Sequence, residues 1–160
     1  MTESRIEARI RELGYELPVA PAPVAAYVPA VTSGSYVYTS GQLPFVDGVL
    51  PATGKVSASG EEGFVNPEDA KKYAGISVLN ALAAVKSVIG DLDRVQRVVK
   101  VVGFVASEVN FTAQPAVING ASELLGEIFG EAGQHARSAV GVPVLPLDSP
   151  VEVEIIVEYV

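Results

Sequence analysis

The sequence predicts an α+β fold in which helices pack on one face of a mixed sheet. Three observations lead there. Two apolar stripes at helical spacing, Tyr73 to Ile89 and Val117 to Ile128, interrupt a series of β-branched runs. The closing run from Val151 alternates apolar and acidic residues up to Ile155, as a strand with one buried face does. No glycine-rich phosphate loop joins a strand to a helix, which sets aside nucleotide-binding folds of that kind.

The elements follow in order. Ile6, Ile10 and Leu13 recur at i, i+4 and i+7 with Arg and Glu between them, so Ser4 to Leu13 reads as a short amphipathic helix. Pro18 to Pro23 holds three prolines and is an extended linker. Residues 1–20 are therefore a helix and linker extending one domain that covers 1–160. Val24–Val31 and Tyr36–Ser40 are β-rich runs around the turn Thr32-Ser33-Gly34-Ser35, which predicts a hairpin. Asp47 to Gly63 is rich in Gly, Ser and Thr and reads as a loop with a short strand near Lys55.

Asn66-Pro67-Glu68-Asp69 is a helix start: a capping side chain, a proline at the first position, and two acids at the positive end of the dipole. The stripe from Tyr73 to Ile89 is thinned by alanines, which suits a helix lying close on a sheet, and Gly90 stops it. Val95–Ala106 contains six valines and is a strand. A second helix starts between Thr112 and Pro115 and ends at Gly130. Two strand-like runs, Arg137–Val144 and Val151–Val160, close the chain around the turn Pro146–Pro150.

Composition narrows function. Of the 160 residues 49% are hydrophobic and 19% charged, so the chain folds, and a domain this apolar is expected to bury part of its surface against copies of itself. The net charge of -8 opposes binding to nucleic acid and to anionic membranes, since each phosphate contact needs Lys or Arg. The absence of Cys removes disulfides and thiolate chemistry, and a single His cannot build a multi-histidine metal site. The opening MTESRIEARI lacks the apolar core of a signal peptide, and no run of 18 apolar residues predicts a membrane span. A soluble, cytoplasmic, metal-free oligomer is expected.

The only Lys or Arg after Lys100 is Arg137, in Ala136-Arg137-Ser138-Ala139-Val140. A half-buried guanidinium there must meet a carboxylate or phosphate, either a nearby glutamate of the chain or a ligand. Glu152, Glu154, Ile156 and Glu158 share one face of the last strand, which is either a solvated side or the lining of a cleft where a carboxylate can activate water. Tyr27 is most simply a strand aromatic. Ser40 has no glycine two positions before it, so it is not a nucleophile elbow. Asn119 interrupts an apolar helical stripe, as a satisfied core amide or as a pocket group. His135, two residues before Arg137, falls on the same strand face and packs or titrates at the surface.

Taken together, Tyr27–Ala30, Tyr38-Thr39-Ser40-Gly41-Gln42-Leu43-Pro44, Asn80-Ala81-Leu82, Gly90–Val95, Ala136–Val140 and Val151–Glu154 resemble the RidA/YjgF family, in order over about four-fifths of the chain. The family is that of the reactive intermediate (imine) deaminases, under an older label L-PSP endoribonucleases. The resemblance implies a chorismate-mutase-like mixed sheet with two main helices on one face. It also implies a homotrimer with clefts between subunits, and cofactor-free hydrolysis of 2-enamine and 2-imine intermediates to 2-oxo acids and ammonia. Carried over residue by residue, it makes Arg137 the carboxylate-binding arginine and Glu152 the water-activating glutamate, with Tyr27, Ser40 and Asn119 around the substrate.

The chain departs from the compact members in its N-terminal helix and in the longer loop from Asp47 to Asn66. Ala139 and Gly141 stand where a Cys and a Glu are familiar, which implies a wider pocket of changed polarity and a divergent subgroup. The alternative function is a non-catalytic binder or sensor of a small carboxylate. An endoribonuclease ranks last, because of the charge and the single His.

Overall fold

The computed structural model describes residues 2–20, 22 and 26–160. The elements are α1 (Arg5–Glu12), β1 (Ala30–Ser33), β2 (Tyr36–Thr39), α2 (Pro67–Ile89), β3 (Val95–Ala106), α3 (Gln114–Phe129), β4 (Ala136–Val142) and β5 (Val151–Tyr159). The five strands form one sheet in the order β1-β2-β5-β3-β4. Only β3 and β4 run parallel, and α3 supplies the crossover that a parallel pair requires. The sheet is mixed and both long helices lie on one face, so the expected α+β class and the chorismate-mutase-like architecture hold.

α2 begins where its cap was expected, with Asn66 Oδ1 accepting from the Asp69 N–H, and it ends at Gly90. Its length and hydropathy would suffice to cross a membrane, but 61% of the apolar window is buried inside the protein, as in a core helix. α3 crosses it at glycines. A β-carbon on Gly120 would run into the Lys71 carbonyl, which is why the two backbones approach so closely there. Beneath them Val78, Leu82, Val85, Ile118 and Leu125 meet Val98, Val101, Val105, Val153, Ile155 and Val157, all fully or almost fully buried.

Some boundaries differ from expectation. The first strand begins at Ala30, not Val24. Residues 24 and 25 lie outside the described residues, and Ala26 to Pro29 form bends rather than strand. Ser33 pairs with Tyr36, so the hairpin turn is the two residues Gly34-Ser35 rather than four, with Gly34 at φ +58°. β4 ends at Val142. Near Lys55 there is no strand, only isolated pairings of Val56 with Val65 and with Ser107.

α1 is tied to the body. Ser4 caps it, and Asp93 accepts from the N–H groups of Arg5 (2.9 Å) and Ile6 (2.9 Å) and from the Ser4 hydroxyl (2.8 Å). Ile10 is fully buried, and Lys86 pairs with Glu7.

Candidate functional site

The predicted site residues fall into two clusters. The first surrounds Glu152 on β5. A cavity of about 340 Å³ is lined by Glu152, Tyr27, Pro29, Gly41, Gln42, Leu43, Phe45 and Leu147, among others. The wall is apolar, so burial pushes the Glu152 carboxyl above the usual carboxylate range, and the charge of Glu154 adds to the rise. A carboxylate so placed is a better base than one in water.

Three contacts build that cavity. Gln42 and Val153 exchange backbone hydrogen bonds of 2.8 and 3.0 Å, which pins Gly41 against Glu152. Asn80 Nδ2 on α2 donates to the carbonyls of Leu43 (3.0 Å) and Phe45 (3.1 Å), fixing the far wall. Ser40 Oγ donates to the Val28 carbonyl at 2.7 Å, and its N–H donates to Pro29 at 2.8 Å. Ser40 thus holds the segment that carries Tyr27, and its hydroxyl is engaged with backbone. Tyr27 itself is no strand aromatic. It stands in a bend ahead of β1, 64% exposed, and lines the cavity.

The second cluster surrounds Arg137 on the edge strand β4. Its Nη1 donates to Asn119 Oδ1 at 2.7 Å and to Ser122 Oγ at 3.2 Å. Both acceptors are neutral side chains one turn apart on α3. Arg137 has no carboxylate partner among the described residues, so the internal ion pair that would offset its desolvation is not there. Ser122 Oγ also lies 2.8 Å from His135 Nε2.

At Gly141 the Gln114 amide lies 2.5 Å from where a β-carbon would stand and Ser107 Oγ 3.0 Å from it, and Gly141 lines a cavity of about 400 Å³ with both residues.

One chain does not bring the clusters together. Arg137 pairs with Val101 and Val101 with Ile155, on the face that meets the helices. Glu152 pairs with Phe104, in the alternate set that points the other way. The two residues are separated by about 10 Å along the strands and about 10 Å across them. A larger cavity, about 440 Å³, opens between α2 and α3 beneath Tyr15, but on its rim Lys71 and Glu123 pair with each other at 3.1 Å. Neither Glu152 nor Arg137 has an ion-pair partner among the described residues.

Ser122 and Gln114 were not singled out from the sequence, and Gln42 and Asn80 appeared only as parts of resembling segments. Asn119 and Ser122, at i and i+3 beside the apolar stripe of α3, are the signal that could have found the second cluster.

The mixed five-stranded sheet is that of the YjgF/RidA family, to which the chain belongs. Residues 7–159 match the family described as "YjgF/chorismate mutase-like, putative endoribonuclease". Among relatives, Protein TCP17 of Trypanosoma cruzi is 42% identical over 159 residues, 99% of this chain and 96% of that one. TdcF of Escherichia coli, named a "putative reactive intermediate deaminase", is 32% identical over 142 residues, 86% of this chain and 89% of that one. Among solved structures, Atu1372 of Agrobacterium tumefaciens, a protein with unknown function, is 44% identical and superimposes with a TM-score of 0.88 over 98% of this chain and 93% of that one. E. coli TdcF with bound serine gives a TM-score of 0.60 at 28% identity, over 88% of this chain and 94% of that one.

Proposed function

We propose that the chain is a RidA-like deaminase that hydrolyses reactive 2-enamine and 2-imine intermediates to 2-oxo acids and ammonia. Its sites lie in clefts of a homotrimer, where the Arg137 cluster of one subunit faces the Glu152 cavity of the next. The observation that carries this is Arg137, a half-buried guanidinium held by two neutral acceptors and still lacking an anion. A substrate carboxylate would supply one, bidentately, through the remaining nitrogens. The serine in the TdcF structure is a small carboxylate-bearing ligand of a relative.

The reaction asks little of the protein, because an imine carbon is already electrophilic. Glu152 accepts a proton from water as the oxygen bonds to that carbon, and the proton passes to nitrogen. The hydroxyl proton of the resulting carbinolamine then moves to nitrogen as the C–N bond breaks and the C=O bond forms, and the products are a 2-oxo acid and ammonia. No redox partner or cofactor is needed for the balance. The apolar residues on the sheet face away from the helices, Val31, Tyr38 and Val140 at 43% to 50% exposure, support assembly through that face. We place the reaction in the cytoplasm, which imaging of a tagged copy would check against the mitochondrion named for the yeast relative Mmf1.

A binder of small carboxylates is the second reading, favoured by the Gln114 amide filling the space at Gly141. Subunit mixing separates the readings. Arg137→Ala and Glu152→Gln proteins are each expected to be inactive, and co-assembled trimers should regain activity at about a quarter of their sites, since one subunit supplies each intact residue. Activity that mixing never restores, from an active wild type, overturns the shared site. A wild type without turnover leaves the binder.

A further inference from the structure

His135 is the only histidine of the chain, and the reaction above makes no use of it. We infer that His135 and Ser122 are positioning residues that fix the direction in which Arg137 presents its guanidinium to the substrate carboxylate. The inference rests on the deaminase reading of Arg137 and adds to it.

The argument is an account of donors and acceptors. The Gly133 carbonyl can only accept and lies 2.6 Å from His135 Nδ1, so Nδ1 carries the hydrogen. In the neutral ring Nε2 is then bare, and it accepts the hydroxyl hydrogen of Ser122 across 2.8 Å. Ser122 Oγ thereby turns its lone pairs to Arg137 Nη1, which can only donate, at 3.2 Å. A serine hydroxyl alone would be free to rotate its hydrogen toward the arginine. His135 removes that freedom.

Every hydrogen from Gly133 to Arg137 therefore has one place to go, and such chains polarise and stiffen each other. With Nη1 held by Asn119 on one side and Ser122 on the other, the edge formed by Nη2 and Nε stays open. That is the edge that makes the parallel pair of bonds to a carboxylate.

The single histidine makes a direct test, because the imidazole ¹⁵N spectrum reports one residue. Wild type, Ser122→Ala, Ser122→Thr and Arg137→Lys proteins are titrated with pyruvate as the probe 2-oxo acid. Calorimetric affinity and turnover are measured in parallel, with His135→Phe added. The wild type should show the Nδ1–H tautomer, and pyruvate should shift the Nε2 resonance. Ser122→Ala should lose that shift, and both Ser122→Ala and His135→Phe should weaken pyruvate by about 5- to 10-fold. KM should rise with kcat held, because uniform binding is what is removed. Ser122→Thr, which keeps the hydroxyl, should restore affinity.

Arg137-dependent pyruvate binding of equal affinity in Ser122→Ala and His135→Phe overturns the positioning role and leaves the deaminase site intact. A wild type that binds no pyruvate at millimolar concentration overturns both, and the wild-type titration alone reveals it.

Discussion

The carboxylate of Glu152 fills the space in which a β-carbon on Gly41 would stand. Glycine is required there by the neighbour and not by the backbone, since Gly41 is not among the glycines with positive φ.

Gly41→Ala should therefore move Glu152 rather than unfold the protein, because the group in the way is the tip of a flexible side chain. Turnover is expected to fall by about 10- to 100-fold, as a displaced catalytic group does. Thermal stability should change by less than about 0.5 kcal/mol. Steady-state kinetics beside a melting curve checks both, and full turnover in Gly41→Ala would remove Glu152 from the chemistry.

Glu152→Gln separates the catalytic from the structural consequences of burial. The carboxyl is pushed up by desolvation first and by Glu154 second, so the folded protein holds the proton more tightly than the unfolded chain does. Stability is then lost as pH rises from the unfolded carboxyl value through the raised folded one. Glu152→Gln should melt higher than wild type at neutral pH, and the two should converge in acid. Its turnover should drop by about 10²-fold or more, the usual share of a positioned base. A mutant that melts lower at neutral pH would contradict the burial argument.

Asn80 is expected to govern the width of the Glu152 cavity. Asn80→Ala frees the carbonyls of Leu43 and Phe45, which should cost about 1–2 kcal/mol in stability and raise KM. Asn80→Asp should be worse, since its carboxylate would face two carbonyl oxygens. Equal KM values in the three proteins would show that the wall stands without the clamp.

Asp93 should make the docking of α1 sensitive to acid. Desolvation opposes its charge, but the N–H groups of Ile6 and Arg5, the Ser4 hydroxyl and the Arg5 guanidinium together hold its carboxyl below the usual range. Stability from this group is present above the unfolded carboxyl value and lost as pH falls through the lowered one. Hydrogen exchange at Ile6 should accelerate in strong acid, and Asp93→Ala should show the fast rate already at neutral pH. Protection that Asp93→Ala leaves unchanged would assign α1 docking to Ile10 and the Lys86–Glu7 pair.

What the sequence made legible depended on local physics. Asn66, Pro67 and Gly90 marked α2 because caps act within one turn, and the alternation from Val151 gave the buried face of β5. The start of β1 was misplaced, because Val24–Val31 is β-branched and apolar yet Pro29 and the bends before it keep the chain out of the sheet. Ser122 carried only its i+3 spacing from Asn119, and that spacing acquires a meaning once a parallel crossover lays the helix beside residue 137. The opposed directions of Arg137 and Glu152 likewise depend on the register of β3 with both neighbours, which no single segment contains.

β5 is the latest strand in chain order, yet it lies in the middle of the sheet, between β2 and β3. During synthesis the β1–β2 hairpin and the β3–α3–β4 unit can form early, each with an unsatisfied strand edge. Neither can join the other until residues 151–159 have left the ribosome. The waiting intermediate exposes two β edges and an apolar helix layer, the kind of species chaperones bind. Long-range pairing of this sort slows folding. A nascent chain whose residues up to Pro150 have cleared the ribosome would therefore hold two half-sheets, and the strand that joins them is also the one that delivers Glu152.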